Sequence, residues 1–203
     1  MSKRIISIQG PMAVGKTCLV NMLKGKYHSY KYIFEKPYDI VQKRNQLKFD
    51  INTLNGFVEN QKLFINNEIE KFNKLSDDIW IADRGFEDVE FYTINYPKSI
   101  NKDWDIEKLL EVELKELRAI RSDKIYYLWA NKDELIKRRE KDIDNGRKRC
   151  SFEHYIHNLY PLDRQWFSKQ KNFEFIDTSG KTIDYIFSII EKKLLSNKKP
   201  ECP

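Results

Sequence analysis

Residues 5–23 read Ile5-Ile6-Ser7-Ile8-Gln9-Gly10-Pro11-Met12-Ala13-Val14-Gly15-Lys16-Thr17-Cys18-Leu19-Val20-Asn21-Met22-Leu23. A short apolar run ends at a glycine, a Gly-x-x-x-x-Gly-Lys-Thr pattern follows, and helix-like periodicity starts at once. That is the full phosphate-loop (Walker A) signature in its proper setting, with a buried strand before it and a helix after it. Gly10 and Gly15 allow backbone angles and close approaches that a Cβ blocks. Successive N–H groups of Pro11's followers Met12, Ala13, Val14 and Gly15 then face one concavity, and the helix N-terminus adds positive potential for phosphate. Lys16 is placed to reach the β- and γ-phosphates, and the Thr17 hydroxyl to ligate Mg²⁺. The stretch points to a bound nucleoside triphosphate.

The rest of the chain supports an α/β domain around that loop. Strand-like runs occur at Ile5–Ile8, Tyr32–Phe34, Ile79–Ala82, Ile125–Trp129 and Phe173–Ile176. Helical periodicity occupies Lys16–Lys24, Leu54–Leu75, Asp105–Arg121, Asp133–Ile143, Phe152–Lys169 and Thr182–Leu195. This alternation implies parallel βαβ units, hence a three-layer phosphate-loop fold with a five-stranded parallel sheet flanked by helices. Ligands then sit beyond the carboxyl ends of the strands. A single domain is expected over residues 1–195, and the polar SNKKPECP end (196–203) reads as a frayed tail.

Composition narrows the function classes. The 203 residues are 40% hydrophobic and 33% charged with a net charge of +6, and no apolar stretch approaches the roughly 18 residues of a membrane span. The first residues do not form a signal peptide. Lys and Arg are dispersed, which suits a phosphorylated small ligand better than nucleic acid. Three widely spaced cysteines, Cys18, Cys150 and Cys202, carry no zinc-site spacing and fit a reducing, cytoplasmic setting. Cys18 is expected to be a small core residue of the first helix.

Beyond the phosphate loop, the run IWIAD delivers Asp83 and Arg84 to the sheet edge beside it. An acid there can hold Mg²⁺, and an arginine can neutralise charge growing on a transferred phosphoryl group. The second strand ends at Glu35, a candidate general base for an alcohol acceptor. Around Asp144-Asn145-Gly146 gather Arg138, Arg139, Lys141, Arg147, Lys148 and Arg149. This segment (138–152) reads as a lid whose arginines close over the triphosphate. Asn131-Lys132-Asp133-Glu134 approaches the guanine-reading Asn-Lys-x-Asp of GTPases, but its fourth position is Glu134, and a helix starting at Lys132 or Asp133 with acids in its first turn explains it.

Taken together, these motifs resemble those of the deoxynucleoside kinases, within the thymidylate-kinase-like group, from the phosphate loop to Trp166. Glu35 with Pro37 resembles that family's strand-two Glu-Pro, whose Glu is the base for the sugar 5′-hydroxyl. Phe57-x-x-x-Gln61 resembles its base-binding segment, and Asp83-Arg84 its Asp/Glu-Arg-Ser element. Tyr155, Leu159, Tyr160 and Trp166 resemble its Tyr…Leu…Trp helix. Gly85 stands where the family has Ser, and Glu35-Lys36-Pro37 carries one extra residue. The resemblance implies an ATP- and Mg²⁺-dependent kinase acting on a nucleoside, with Asp177-Thr178-Ser179-Gly180 near the adenine. It also implies a homodimer through helices such as Asp105–Arg121. A nucleoside monophosphate kinase gripping its acceptor phosphate with Arg44 or Arg84, and a phosphotransferase for another small alcohol, remain open. So, outside the enzymes of small acceptors, does a nucleotide-binding switch or a protein that processes nucleic-acid ends; missing switch motifs and dispersed charge speak against both.

Overall fold

The computed structural model describes residues 3–35, 38–144 and 152–196. Five strands, β1 (Arg4–Gln9), β2 (Lys31–Ile33), β3 (Ile79–Asp83), β4 (Lys124–Trp129) and β5 (Phe173–Asp177), form one parallel sheet in the order β2-β3-β1-β4-β5. The expected strands fall where the apolar runs put them. β1 is central and buried from Ile5 onward. A parallel strand covered on both faces carries near-continuous apolar residues, because no side of it faces water.

Alternate residues of the sheet feed separate cores. Ile6, Ile8, Ile81, Tyr126 and Leu128 pack with α1 (Lys16–Lys26) and α10 (Ile183–Ser196) on one face. Ile5 and Ala82 pack on the other with α3 (Leu54–Asn73), α5 (Ile106–Leu109) and α6 (Glu111–Ala119). Ile125 and Tyr127 meet Phe91 and Phe167 in a third cluster. The side-chain period of two along a strand produces this division.

Several helices depart from expectation. α2 (Tyr38–Leu47) and α4 (Phe86–Ser99) have no counterpart in the periodicity. In α4 the inward face holds Glu87, Glu90, Thr93 and Asn95 among its apolar residues, which erases the hydrophobic stripe. Glu90 accepts from Arg118 and Arg121, each at 2.6 Å, so an ion cluster around this buried carboxylate ties α4 to α6 and to Arg121 just beyond it. The helix expected over Asp105–Arg121 breaks at Leu110 (φ −119°, ψ 29°) into α5 and α6. Five of its apolar residues, Ile106, Leu110, Leu114, Leu117 and Ile120, enter the chain's own core, while Leu109 and Val112 stay 47% and 67% exposed. These two are the exposed large apolar residues of the stretch through which the resemblance implies a homodimer.

α7 (Lys132–Asp144) begins as its first turn suggests, with the Asn131 carboxamide accepting from Glu134 N at 2.9 Å. The stretch after the lid is not one regular helix. α8 (Phe152–His154) passes through a π-helical turn, Tyr155–Leu159, into α9 (Tyr160–Phe167). Pro161 offers no N–H to continue the regular ladder, which favours such a widened turn just before it. Cys18 is exposed, contrary to the core role expected of it, because α1 buries Lys16, Leu19, Val20 and Leu23 instead.

Candidate active site

The loop after β1 is held open by its backbone. Gly10 takes φ +133°, and a Cβ there would lie 2.1 Å from the Leu128 carbonyl oxygen at the end of β4. Ala13 at φ 63° and Gly15 at φ 101° complete the turn into α1. Lys16 is buried and donates to the Gly10 and Pro11 carbonyls, both at 2.7 Å. Burial first, then the nearby Arg84 cation, lowers its pKa to about 8, with Asp88, Asp83 and Glu35 working against them. An anion arriving in the loop would raise it again by favouring the charged form.

At the end of β3 two residues define the other wall. Thr17 donates to Asp83 Oδ2 at 2.6 Å, which brings a hydroxyl and a carboxylate together beside the loop. Two hard oxygens with room for water and phosphate match how Mg²⁺ is usually held. Arg84 adopts φ 66° and its N–H donates to Ile8 O at 3.1 Å. Backbone strain of this kind persists only where surrounding structure enforces it. Its guanidinium spans two acids: Nε lies 2.8 Å from Glu35 Oε2, and Nη1 donates to both Asp88 oxygens at 2.8 and 2.7 Å. Burial pulls Arg84 toward deprotonation, but Asp88 and then Glu35 outweigh it and raise its pKa.

Gly85 follows at a point of close approach. A Cβ there would sit 2.5 Å from Glu87 Oε2 and 2.6 Å from Gln9 Nε2. Buried Glu87 accepts from Ser122 N at 2.6 Å and from its hydroxyl at 3.0 Å. This packed polar cluster accounts for glycine in place of serine.

Glu35, Arg84 and Asp88 open onto a cavity of about 590 Å³ that is also lined by Met12, Arg44, Asn60, Gln61, Tyr96 and Tyr155. Gln61 is fixed by Thr93, whose hydroxyl donates to Oε1 at 2.9 Å, while its buried Nε2 has no partner among the described residues. The same holds for Asn60 Oδ1. An unpaired buried donor and acceptor side by side are costly unless a ligand uses them. Asn60 and Asp88 escaped the sequence reading. Asp88 was legible in principle as an i,i+4 partner of Arg84, had the helix over 86–99 been assigned.

Phe57 is brought elsewhere. It is fully buried, outside the cavity lining, and stacks behind Tyr96 at 5.5 Å. Arg138 bridges three segments: Nη1 donates to Val14 O at 3.3 Å and Thr178 Oγ1 at 3.0 Å, and Nη2 to Thr178 O at 2.7 Å. It thereby fastens the phosphate loop to the Asp177–Gly180 turn. The Arg139 guanidinium lies over the Phe152 ring at 5.8 Å. Arg147 and Arg149, like Lys36, Pro37 and the expected tail beyond Ser196, lie outside the described residues.

The phosphate loop at the head of the central strand of a β2-β3-β1-β4-β5 parallel sheet defines the three-layer α/β phosphate-loop fold. Solved structures with this architecture include two relevant enzymes. A deoxyadenosine kinase from M. mycoides, with products dCMP and dCDP bound, matches at TM-score 0.70 and 18% identity over 96% of this chain and 100% of that one. The same kinase with bound dCTP matches at TM-score 0.71 and 17% identity, over 95% and 99%. Thymidylate kinase from Candida albicans matches at TM-score 0.65 and 19% identity, over 97% and 93%. At these identities the likeness establishes the fold. No family model matches the chain, and no curated protein does.

Proposed function

We propose that this protein is an ATP- and Mg²⁺-dependent kinase that phosphorylates the 5′-hydroxyl of a deoxynucleoside, through one domain spanning residues 1–195. The observation that carries the reading is Glu35. Its carboxylate stands on the wall of a nucleoside-sized cavity, 2.8 Å from an arginine that follows the Asp83 of the phosphate-loop side. In this scheme residues Gly10–Thr17 wrap the triphosphate and Lys16 follows the γ-phosphoryl group. Thr17 and Asp83 would hold Mg²⁺, which would supply neutralisation of the phosphate charge. Glu35 takes the proton of the 5′-hydroxyl as its oxygen bonds the γ-phosphorus, and the bond to ADP breaks. Arg84 holds Glu35 in place and offsets the charge that develops. Gln61, with Asn60 beside it, meets the polar edge of the base. Arg138 braces the loop from behind, while Arg139, Arg147 and Arg149 are the lid's candidate phosphate contacts. The shared fold with a deoxyadenosine kinase supports this reading, and the cysteine pattern suits a reducing cytoplasm.

A second reading has its own support. Arg44 lines the cavity, and its guanidinium donates to the neutral Asn45 side chain at 3.2 and 3.3 Å, so a cation is available there for an acceptor phosphate. A nucleoside monophosphate would use it. Glu35→Gln separates the two, since it removes the proton acceptor and keeps the shape. With an alcohol acceptor, turnover should fall by roughly 10²–10⁴ while ATP affinity holds. A variant within severalfold of wild type on its best substrate would defeat the nucleoside reading and favour a nucleotide acceptor, whose oxygen arrives ionised.

A further inference from the structure

The scheme above gives Asp88 no task. An acid in the first turn of α4 suits the helix dipole, but the dipole does not account for the partner it takes. Both Asp88 oxygens accept from Arg84 Nη1, at 2.8 and 2.7 Å, while Nε of the same guanidinium lies 2.8 Å from Glu35 Oε2. The Arg84 and Asp88 side chains are 20% and 25% exposed, so water screens the pair only in part. Lys16 feels the whole group: Arg84 lowers its pKa, and Asp88, Asp83 and Glu35 raise it. Two cations therefore face three carboxylates where the loop meets the acceptor cavity.

That balance treats the two kinds of acceptor differently. A 5′-hydroxyl arrives uncharged. A phosphate monoester brings roughly 1.5 to 2 negative charges at pH 7, with an acceptor oxygen already ionised. A guanidinium has five N–H donors, and those not used by Glu35 and Asp88 could still meet a phosphate oxygen. The phosphate would then stand beside two carboxylates that share the same cation, and juxtaposed like charges suppress such a partner.

We propose that Asp88 is a specificity-determining residue of the acceptor site: by sharing Arg84 with Glu35 it denies that cation to an acceptor phosphate and confines the enzyme to hydroxyl acceptors. This inference rests on the nucleoside reading. With a hydroxyl acceptor, the proton passes to Glu35, which becomes neutral, and Arg84 keeps one anionic partner instead of two. Its charge turns to the phosphoryl group only as the new P–O bond forms, which favours the transition state over the bound substrate. A phosphate acceptor delivers no such proton, so Arg84 stays occupied. Once Glu35 has shed its proton to water, the same two carboxylates repel the monophosphate product.

For the test, the four common 2′-deoxynucleosides are assayed for turnover. The best of them and its 5′-monophosphate are then titrated calorimetrically, with metal-free ADP filling the phosphate loop. The proteins are wild type, Asp88→Asn, Asp88→Glu and the double variant Asp88→Asn/Arg84→Gln. The readout is the ratio of dissociation constants, monophosphate over nucleoside. In wild type it should be about tenfold or more, the low end of what an uncompensated like charge costs. Asp88→Asn should lower the ratio by about tenfold, whereas Asp88→Glu, which keeps the charge, should hold it within about threefold of wild type. Removing Arg84 as well should cancel the gain. A wild-type ratio near one overturns the role of Asp88 and leaves the nucleoside reading intact, as does a ratio that Asp88→Asn does not move. A gain that survives in the double variant overturns it too, because Arg84 is then not the cation concerned. If Asp88→Asn lowers Tm and weakens both ligands alike, Asp88 serves only the fold. Should Asp88→Asn not fold, Asp88→Ser and the wild-type ratio decide. An enzyme that turns over the monophosphates but no nucleoside defeats the proposed function, and this inference with it.

Discussion

The two halves of the candidate site are built in different ways. The donor half is a contiguous stretch, Gly10–Thr17, whose geometry comes from backbone: Gly10 under the Leu128 carbonyl, Ala13 and Gly15 at positive φ, and Lys16 folded onto two carbonyls of its own loop. The acceptor half is assembled from side chains of distant segments. Glu35 comes from the end of β2, Asn60 and Gln61 from α3, Arg84 and Asp88 from the β3–α4 junction, and Tyr155 from the π-helical turn. A backbone-built site tolerates loss of a side chain structurally while losing its chemistry. A side-chain-built site should show graded, substrate-specific effects.

The largest effect should come from Lys16→Ala. In the proposed scheme it removes the fixed charge that follows the transferred phosphoryl group, so turnover should fall by about 10³-fold or more, whereas the far-ultraviolet circular dichroism should remain that of wild type. Near-normal turnover in a folded variant would break the contrast at its donor side. Next, Gln61→Leu should raise the KM for the nucleoside by about tenfold, since the base then faces an apolar surface, and leave the KM for ATP alone. Equal changes in both constants would mean that Gln61 serves the fold rather than the base.

A smaller effect tests the junction between the halves. Gly85→Ala puts a methyl 2.5 Å from Glu87 Oε2 and 2.6 Å from Gln9 Nε2. Overpacking of this kind should cost about 1–3 kcal/mol, read as a lower urea midpoint at unchanged slope. A midpoint equal to wild type would show that the Glu87 cluster yields.

The smallest is a pH dependence. The folded protein holds Lys16 near pKa 8, below its ordinary 10.5. The unfolded chain therefore binds the extra proton between those values, and stability rises with pH across that window. The difference in unfolding free energy between wild type and Lys16→Ala should change in favour of wild type by up to about 1.4 kcal/mol per pH unit from pH 8 toward 10.5. A flat difference would place Lys16 in solvent rather than against its loop.

Much of the fold was legible because it is written locally. Each strand lies on an apolar run, and Asn131 and the acids after it announce α7. α4 was not legible: its buried Glu87, Glu90, Thr93 and Asn95 are satisfied by partners from α3, from its own preceding turn, from α6 and from the residues after α6, and no local period encodes them. Missing that helix also hid Asp88. Phe57 looked like a ligand contact by its spacing from Gln61, yet successive turns of α3 turn one side chain toward the cavity and the other into the core behind Tyr96.

By itself the sequence determined the phosphate loop, the five strands, the Asp83–Arg84 pair at their edge and Glu35 on the neighbouring strand. These depend on steric limits of glycine and on periods of two to four residues, which act between neighbours in the chain. Only the tertiary structure decided that Arg84 spans Glu35 and Asp88, that Arg138 braces the loop against Thr178, and that Asn60 joins Gln61. Some of those relations join residues dozens of positions apart, such as Arg84 with Glu35 and Arg138 with Thr178, and all depend on which way each side chain points once helices and sheet have packed. Hydrogen bonds and ion pairs act over a few ångströms of space, so pairings of that kind exist only after the fold has formed.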